Sequence, residues 1–187
     1  MAPEPLHTHR LRLDPFTPAD APLLAALSAT PEVMHFIGDG TPWPPTRAAE
    51  VSERTAGHWR EHGFGWWVAT LSATGTAIGF AALNFAGADS GIATDDHEIG
   101  WWLAPTAWGR GLAREGAIAV RDDAFTRLGA PRVVARIAPV NVASLRVAEA
   151  IGLTRDADST GRAGEPIAVL SLSAAGWRTG DRQDARA

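Results

Sequence analysis

Two stretches of this sequence hold residue types at spacings that do chemistry. The first is Glu98 to Glu115, EIGWWLAPTAWGRGLARE. A strand-like run passes through a short connector into Gly109-Arg110-Gly111 and then into a helical pattern. Glycines at such a junction let the main chain come close to a ligand. The helix start leaves N–H groups unpaired and aims partial positive charge at the same point. A phosphate group suits that environment, and Arg110 and Arg114 add full charge beside it. Neither common nucleotide loop fits. The dinucleotide fingerprint needs a small residue where Arg114 stands, and the P-loop needs lysine after Gly116, where Ala117 stands. The plain alternative is a glycine-capped turn with its arginines in solvent. The second stretch is His58-Trp-Arg-Glu61-His62, the H-x-x-E-H pattern of inverted zinc peptidases. Two histidines four apart share a helix face, but this pair falls in the last turn before Gly63, where histidine is favoured anyway.

Composition removes several chemistries. The 17 basic residues are all arginine, and cysteine and tyrosine are absent. That excludes a Schiff base, a thiol nucleophile, thiolate-bound zinc and a phenolic acid or base. The net charge of −4 argues against nonspecific binding to nucleic acid or an anionic membrane. The first twelve residues have no apolar run of signal-peptide length. The uncharged stretch Ala69 to Ala88 carries Gly75, Gly79 and Asn84 and reads as two strands and a turn rather than a membrane span. A cytoplasmic location is expected.

The elements that must position these residues follow from pattern. Leu6 to Pro15 alternates as a half-buried strand. Thr17, Pro18 and Asp20 open a helix carrying Leu23, Leu24 and Leu27. The run Gly38 to Pro45 is a loop that carries Asp39 and Trp43. Thr46 caps a helix running to about His62. Gly65–Leu71 and Ala77–Phe85 form a hairpin, Ala86–Asp96 is a loop, and His97–Leu103 is a strand. Leu112–Leu128 is a long helix, Arg132–Ala138 a strand, Val142–Ile151 a short helix and Pro166–Leu172 a last strand. This order gives one α/β domain, antiparallel in its first half and with a parallel crossover later. Residues 10–176 form the domain, 1–9 a flexible N-terminus and 177–187 a fraying tail.

Downstream of the glycine loop lies NVASLRVAEAIGL, from Asn141 to Leu153. Together with EIGWWLAPTAWGRGLAREGA, and with GWWVATLSATGTAIGFAAL around the hairpin, it resembles the GNAT N-acetyltransferase superfamily, closest to its RimJ/RimL-like branch. The resemblance covers about Leu11 to Leu172. It implies a single α+β domain with a mixed, mostly antiparallel sheet, a splayed parallel pair and flanking helices. It implies acetyl-CoA as co-substrate, with no metal. The phosphate signature becomes Trp108, Gly109, Arg110, Gly111, Leu112 and Ala113, with Arg114 beside it. The backbone of Trp102 and Leu103 would pair with the pantetheine arm. Asn141 would hydrogen-bond that arm, and Ser144 would lie near the thioester sulfur. Many members place a tyrosine where the thiolate leaves. This chain has none, which makes Ser144 the candidate acid.

The reaction implied is direct attack of a primary amine on the thioester, with a fixed N–H donor for the oxyanion and a base for the amine proton. Glu98 is the candidate base, and pairing with an arginine at a strand end is the structural alternative. Asp39, Trp43 and Trp67 are candidate acceptor contacts. In each of the pairs Trp66/Trp67 and Trp101/Trp102, one ring faces the core and the other a cleft or helix, because neighbours on a strand face opposite sides. The acceptor is a protein N-terminus or a small amine, and the protein is a monomer or homodimer. The alternatives are a CoA-binding sensor that has lost turnover and, more remotely, a zinc hydrolase through His58, Glu61 and His62.

Overall fold

A computed structural model describes residues 3–87, 96–160 and 164–184. The described chain divides into two compact units. The first comprises the chain up to Asn84 together with Gly100–Val120, and the second comprises Phe85–Ile99 together with the chain from Arg121 onward.

The first unit opens with a tight hairpin, β1 (Leu6–His7) and β2 (Leu11–Pro15), in register Leu6 on Leu13 and His7 on Arg12. The expected single strand is broken because the Thr8 hydroxyl accepts the Leu11 N–H at 2.9 Å, and the Thr8 N–H bonds back to the Leu11 carbonyl at 2.9 Å. Thr17 and Asp20 form a capping box around a 3-10 turn, Pro18–Asp20. From that turn run α1 (Ala21–Ser28) and the short α2 (Pro31–Met34). The long α3 (Pro45–His62) starts at Pro45, since prolines suit a first turn whose N–H groups have no partner. It ends at Gly63 in the left-handed conformation, φ 71°.

Strands β3 (Trp67–Leu71) and β4 (Ala77–Phe85) make the expected hairpin, and the order β1-β2-β3-β4 is antiparallel throughout. Leu11 and Leu13 are fully buried while Arg12 between them is exposed, the period-2 pattern of a half-buried strand. Strand β5 (His97–Leu103) and helix α4 (Leu112–Thr126) each begin in one unit and end in the other. The first turns of α4 lie close on the first unit's sheet at Gly116, where an added Cβ would sit 3.5 Å from Leu11 and 3.7 Å from Ala81.

In the second unit the strand order is β5, β6 (Arg132–Ile137), β8 (Pro166–Ser173) and β7 (Thr154–Thr160). The β5–β6 pair is parallel, with His97 on Val133 and Glu98 on Val134, whereas β6–β8 and β7–β8 are antiparallel. Val133, Val134, Ala168 and Leu170 are buried among them. Helix α5 (Val142–Ala150) precedes β7. That strand, TRDADST, has no apolar alternation, which is why its sequence gives no strand signal. It is an edge strand with a bulge between Arg155 and Asp158. The chain after β8 is helical, α6 (Ala174–Asp184), in place of the fraying tail expected from residue 177. Trp177 stacks on Phe125 at 5.2 Å and donates its indole N–H to Asp122 at 2.9 Å. The expected loop Ala86–Asp96 falls largely on residues 88–95, which lie outside the described residues.

Candidate active site

The glycine loop is built from a strand that ends and a helix that begins. Pro105–Ala107 is one 3-10 turn, and the Trp108 N–H closes on the Pro105 carbonyl at 3.1 Å. Gly109 and Gly111 then adopt φ 69° and 73°, a conformation that L side chains rarely take. The first helical bond is Glu115 N–H to the Gly111 carbonyl, 3.1 Å. Between these two bonds, the N–H groups of residues 109 to 114 have no hydrogen-bond partner among the described residues. Arg110 and Arg114 are exposed, and neither has an ion-pair partner among the described residues. Successive unpartnered amides at the start of a 15-residue helix, with two guanidiniums beside them, are the kind of donor set that suits an anion.

The loop is held by a latch from the N-terminal hairpin. Arg10 donates its Nη1–H to the Arg110 carbonyl at 2.8 Å and its Nε–H to Glu115 Oε2 at 2.7 Å. The Arg10 backbone N–H and the Thr8 hydroxyl both donate to Glu115 Oε1 at 2.6 Å. Partial burial works to raise the Glu115 carboxyl, but the bonds from Thr8 and Arg10 outweigh it, and its pKa lies below the usual glutamate range.

The end of β5 is fixed by a close approach to β4. Gly79 has φ 147°, and a Cβ there would meet the Trp102 carbonyl oxygen at 2.0 Å and the Leu103 Cα at 2.8 Å. Only glycine fits. The Trp108 indole donates to the Leu103 carbonyl at 2.7 Å, tying the loop to the strand that precedes it. Beside Trp102 lie two more indoles, Trp43 with ring centroids 5.3 Å away and Trp66 at 5.1 Å. The Arg47 guanidinium sits over Trp43 at 4.8 Å. Trp67 is fully buried and packs edge-on against Trp59 at 4.8 Å. It is therefore a core residue, not the acceptor contact expected from the sequence; its neighbour Trp66, buried as well, is the one whose ring lies beside Trp102. Asp39 is exposed, with Oδ1 accepting both the hydroxyl (2.7 Å) and the N–H (3.1 Å) of Thr41. The hydroxyl bond first, then the N–H bond, holds its carboxyl below the usual aspartate range. It stabilises its own loop.

In the second unit, Glu98 Oε2 accepts from Arg136 Nη2 at 2.8 Å and Nε at 3.1 Å. Asn141 caps α5, its Oδ1 accepting the Ser144 N–H at 3.1 Å. Val140 and Val142 on either side of Asn141 are exposed.

Residues 10–154 match the acetyltransferase (GNAT) domain family. The chain belongs to the GNAT acetyltransferase family. It is 32% identical over 158 residues to the FsC-acetyl coenzyme A-N(2)-transacetylase of Aspergillus fumigatus, covering 80% of this chain. The chain spans 64% of that relative's length. It is 31% identical to an acetyltransferase from Agrobacterium tumefaciens of solved structure, covering 92% of this chain and 95% of that one, with a TM-score of 0.77. The structure of RimL, a ribosomal alpha-N-protein acetyltransferase in complex with coenzyme A, covers 91% of this chain and 98% of its own. Its TM-score is 0.75 at 14% identity, a likeness of fold alone.

The GNAT fold class read from the sequence is the one observed, a mostly antiparallel mixed sheet with one parallel pair, flanked by helices. Sequence reasoning missed the Arg10–Glu115 latch and Gly79. Only the glycine itself, inside a strand, signalled the latter. His58 and His62 lie edge to face at 4.5 Å, and among the described residues no group of three or more His, Cys, Asp or Glu could hold a metal. No described helix is long and apolar enough to cross a membrane.

Proposed function

We propose that this GNAT chain transfers the acetyl group of acetyl-CoA to a primary amine, either a protein N-terminus or a small molecule. The observation that carries this is the run of unpartnered N–H groups over residues 109 to 114 at the start of α4, with Arg110 and Arg114 unpaired beside it. A pyrophosphate offers the acceptor oxygens and negative charge that these donors lack.

In this reading Trp108 to Ala113 and Arg114 hold the pyrophosphate. The main chain of Trp102 and Leu103, set by Gly79, takes the pantetheine amides. Asn141, with one oxygen in the helix cap, offers its amide N–H groups to the same arm. The amine nitrogen attacks the thioester carbonyl carbon and a tetrahedral oxyanion forms. The C–S bond then breaks to release CoA thiolate, while the nitrogen loses a proton. Glu98 receives that proton, directly or through water. Two bonds from Arg136 orient the carboxylate and occupy one of its oxygens, which favours relay through water. Ser144 supplies the hydrogen bond or proton to the leaving sulfur. No covalent enzyme intermediate is needed, in keeping with a chain that has neither cysteine nor lysine.

The test is acceptor-dependent release of CoA, followed with a thiol reagent across amines and N-terminal peptides. Release with at least one acceptor and acetylated product supports the reading. Tight acetyl-CoA binding with no release for any acceptor would instead support a CoA-binding sensor.

A further inference from the structure

Within the first unit, α3 and the strands beside it flank a half-open cavity of about 230 Å³ lined by Val51, Arg54, Thr55, His58, Trp66 and Asn84. The four α3 residues fall at i, i+3, i+4 and i+7, one face of a helix. Their charge is one-sided, because the lining carries a guanidinium and no carboxylate. Arg54 has no ion-pair partner among the described residues, although Glu50 stands four residues earlier, a spacing at which such pairs form. The Thr55 hydroxyl has no hydrogen-bond partner among the described residues. Asn84 is held in one orientation, since its Oδ1 accepts the Trp66 indole N–H at 3.0 Å. Its amide N–H₂ therefore remains to donate, and it too has no partner among the described residues. His58 adds an imidazole whose ring is fixed edge-on between Phe64 (4.7 Å) and His62 (4.5 Å).

Guanidinium, hydroxyl and amide donors around a small space walled by Val51 and an indole match one functional group best, a carboxylate with a short apolar stem. A cationic amine finds no carboxylate among these lining residues and would meet the charge of Arg54. The cavity also has a defined neighbour, because its wall residue Trp66 lies 5.1 Å from Trp102. Trp102 is the β5 residue whose main chain is assigned to the pantetheine arm. Resting on that reading, we infer that this cavity receives the carboxylate of the acceptor, so that the amine acetylated belongs to an aminocarboxylic acid rather than a polyamine. Arg54 is the specificity-determining residue, and Thr55 and Asn84 complete the carboxylate's bonds. Trp66 forms the wall along which the stem runs.

The test uses glycine, 4-aminobutyrate and 6-aminohexanoate, each paired with its carboxamide. Two readouts are taken on the whole chain. One is the indole ¹⁵N–H resonance of Trp66, assigned by its loss in Trp66→Phe. The other is kcat/KM for CoA release. At least one acid should shift the Trp66 resonance while its amide does not. The same acid should be preferred in turnover by about tenfold to a hundredfold, the size expected for a charge-assisted bond. Arg54→Gln should abolish both preferences. Arg54 is exposed and unpaired, so that variant should fold normally, and Thr55→Val, which keeps the shape, should reduce the preference several-fold. No Trp66 shift with any acid, an equal shift with the amides, or a shift unchanged in Arg54→Gln would overturn the carboxylate site. Acetyl-CoA binding and amine turnover with no acid preference would overturn it too, while leaving acetyl transfer intact. Absence of acetyl-CoA binding would overturn the transfer reading and the acceptor role, and the Trp66 resonance alone would still decide whether the cavity takes a carboxylate.

Discussion

Replacing Gly79 by alanine should damage the fold and the cofactor strand together. The added Cβ would lie 2.0 Å from the Trp102 carbonyl oxygen and 2.8 Å from the Leu103 Cα. Carbon and oxygen in contact need more than 3 Å, so one strand must move by about an ångström or more, and both partners are backbone that cannot rotate away. The φ of 147° adds strain for any residue with a side chain. Strain of this kind costs about 1–3 kcal/mol, and overpacking costs about 1–3 kcal/mol more. The sum, about 2–6 kcal/mol, corresponds to a Tm lowered by about 5–20 °C for a chain of this length. A strand displaced at Trp102 and Leu103 also moves the carbonyl that accepts the Trp108 indole, so acetyl-CoA affinity measured by calorimetry below the transition should fall as well. Thermal unfolding of Gly79→Ala with the wild-type Tm would refute the close approach of β4 and the end of β5. A lowered Tm with unchanged acetyl-CoA affinity would refute the placement of pantetheine on Trp102 and Leu103.

Three further outcomes are expected. Glu115 has its folded pKa below its unfolded value, so the stability it contributes is complete above about pH 4.3 and is lost as pH falls through the folded value. Urea unfolding of Glu115→Gln should lack that acid-side loss while being less stable than wild type at neutral pH, and an unchanged pH profile would remove the latch from the account. Glu98→Gln should lower kcat by about 10²–10⁴ with little change in acetyl-CoA affinity, and the defect should shrink at high pH, where more of the amine arrives neutral. Wild-type kcat in that variant would make Glu98 a partner for Arg136 and nothing more. Ser144→Ala should cost about tenfold to a hundredfold with little relief at high pH, because a thiol of pKa about 8.5 is already a tolerable leaving group. A pH–rate profile identical to wild type would exclude Ser144 from thiolate release.

The parts of the fold that sequence revealed are those written in local pattern. Strand β5 and the hairpin β3–β4 fall on the predicted residues or within two of them, because apolar runs bounded by Gly, Pro and Ser/Thr turns mark strands directly. Helix α3 ends where Gly63 says it must. The glycine loop was legible for the same reason, since Gly109, Gly111 and the helix after them lie consecutively in the chain. What sequence could not show depends on contacts between distant residues. Thr8 and Arg10 are ordinary polar residues more than a hundred positions from Glu115. Which of the buried Trp66 and Trp67 packs on α3 depends on where α3 lies, and Trp59 decides it by donating its indole N–H to the Trp66 carbonyl at 2.8 Å and packing on Trp67. The cavity beside Trp66 joins one helix face to Asn84 of β4, a pairing that no spacing in the chain announces.

The most direct test of the central claim is calorimetric titration of acetyl-CoA and of acetyl-pantetheine, which lacks the pyrophosphate, into the wild type and Gly111→Asp. Aspartate at Gly111 would sit in a conformation of φ 73° and place a carboxylate among the donors meant for phosphate oxygens. The wild type should bind acetyl-CoA at least a hundredfold more tightly than acetyl-pantetheine, of the order of two or more charge-assisted bonds. Gly111→Asp should remove most of that difference while leaving acetyl-pantetheine binding almost unchanged. Equal affinities of the wild type for the two ligands, or an undiminished preference in Gly111→Asp, would contradict it.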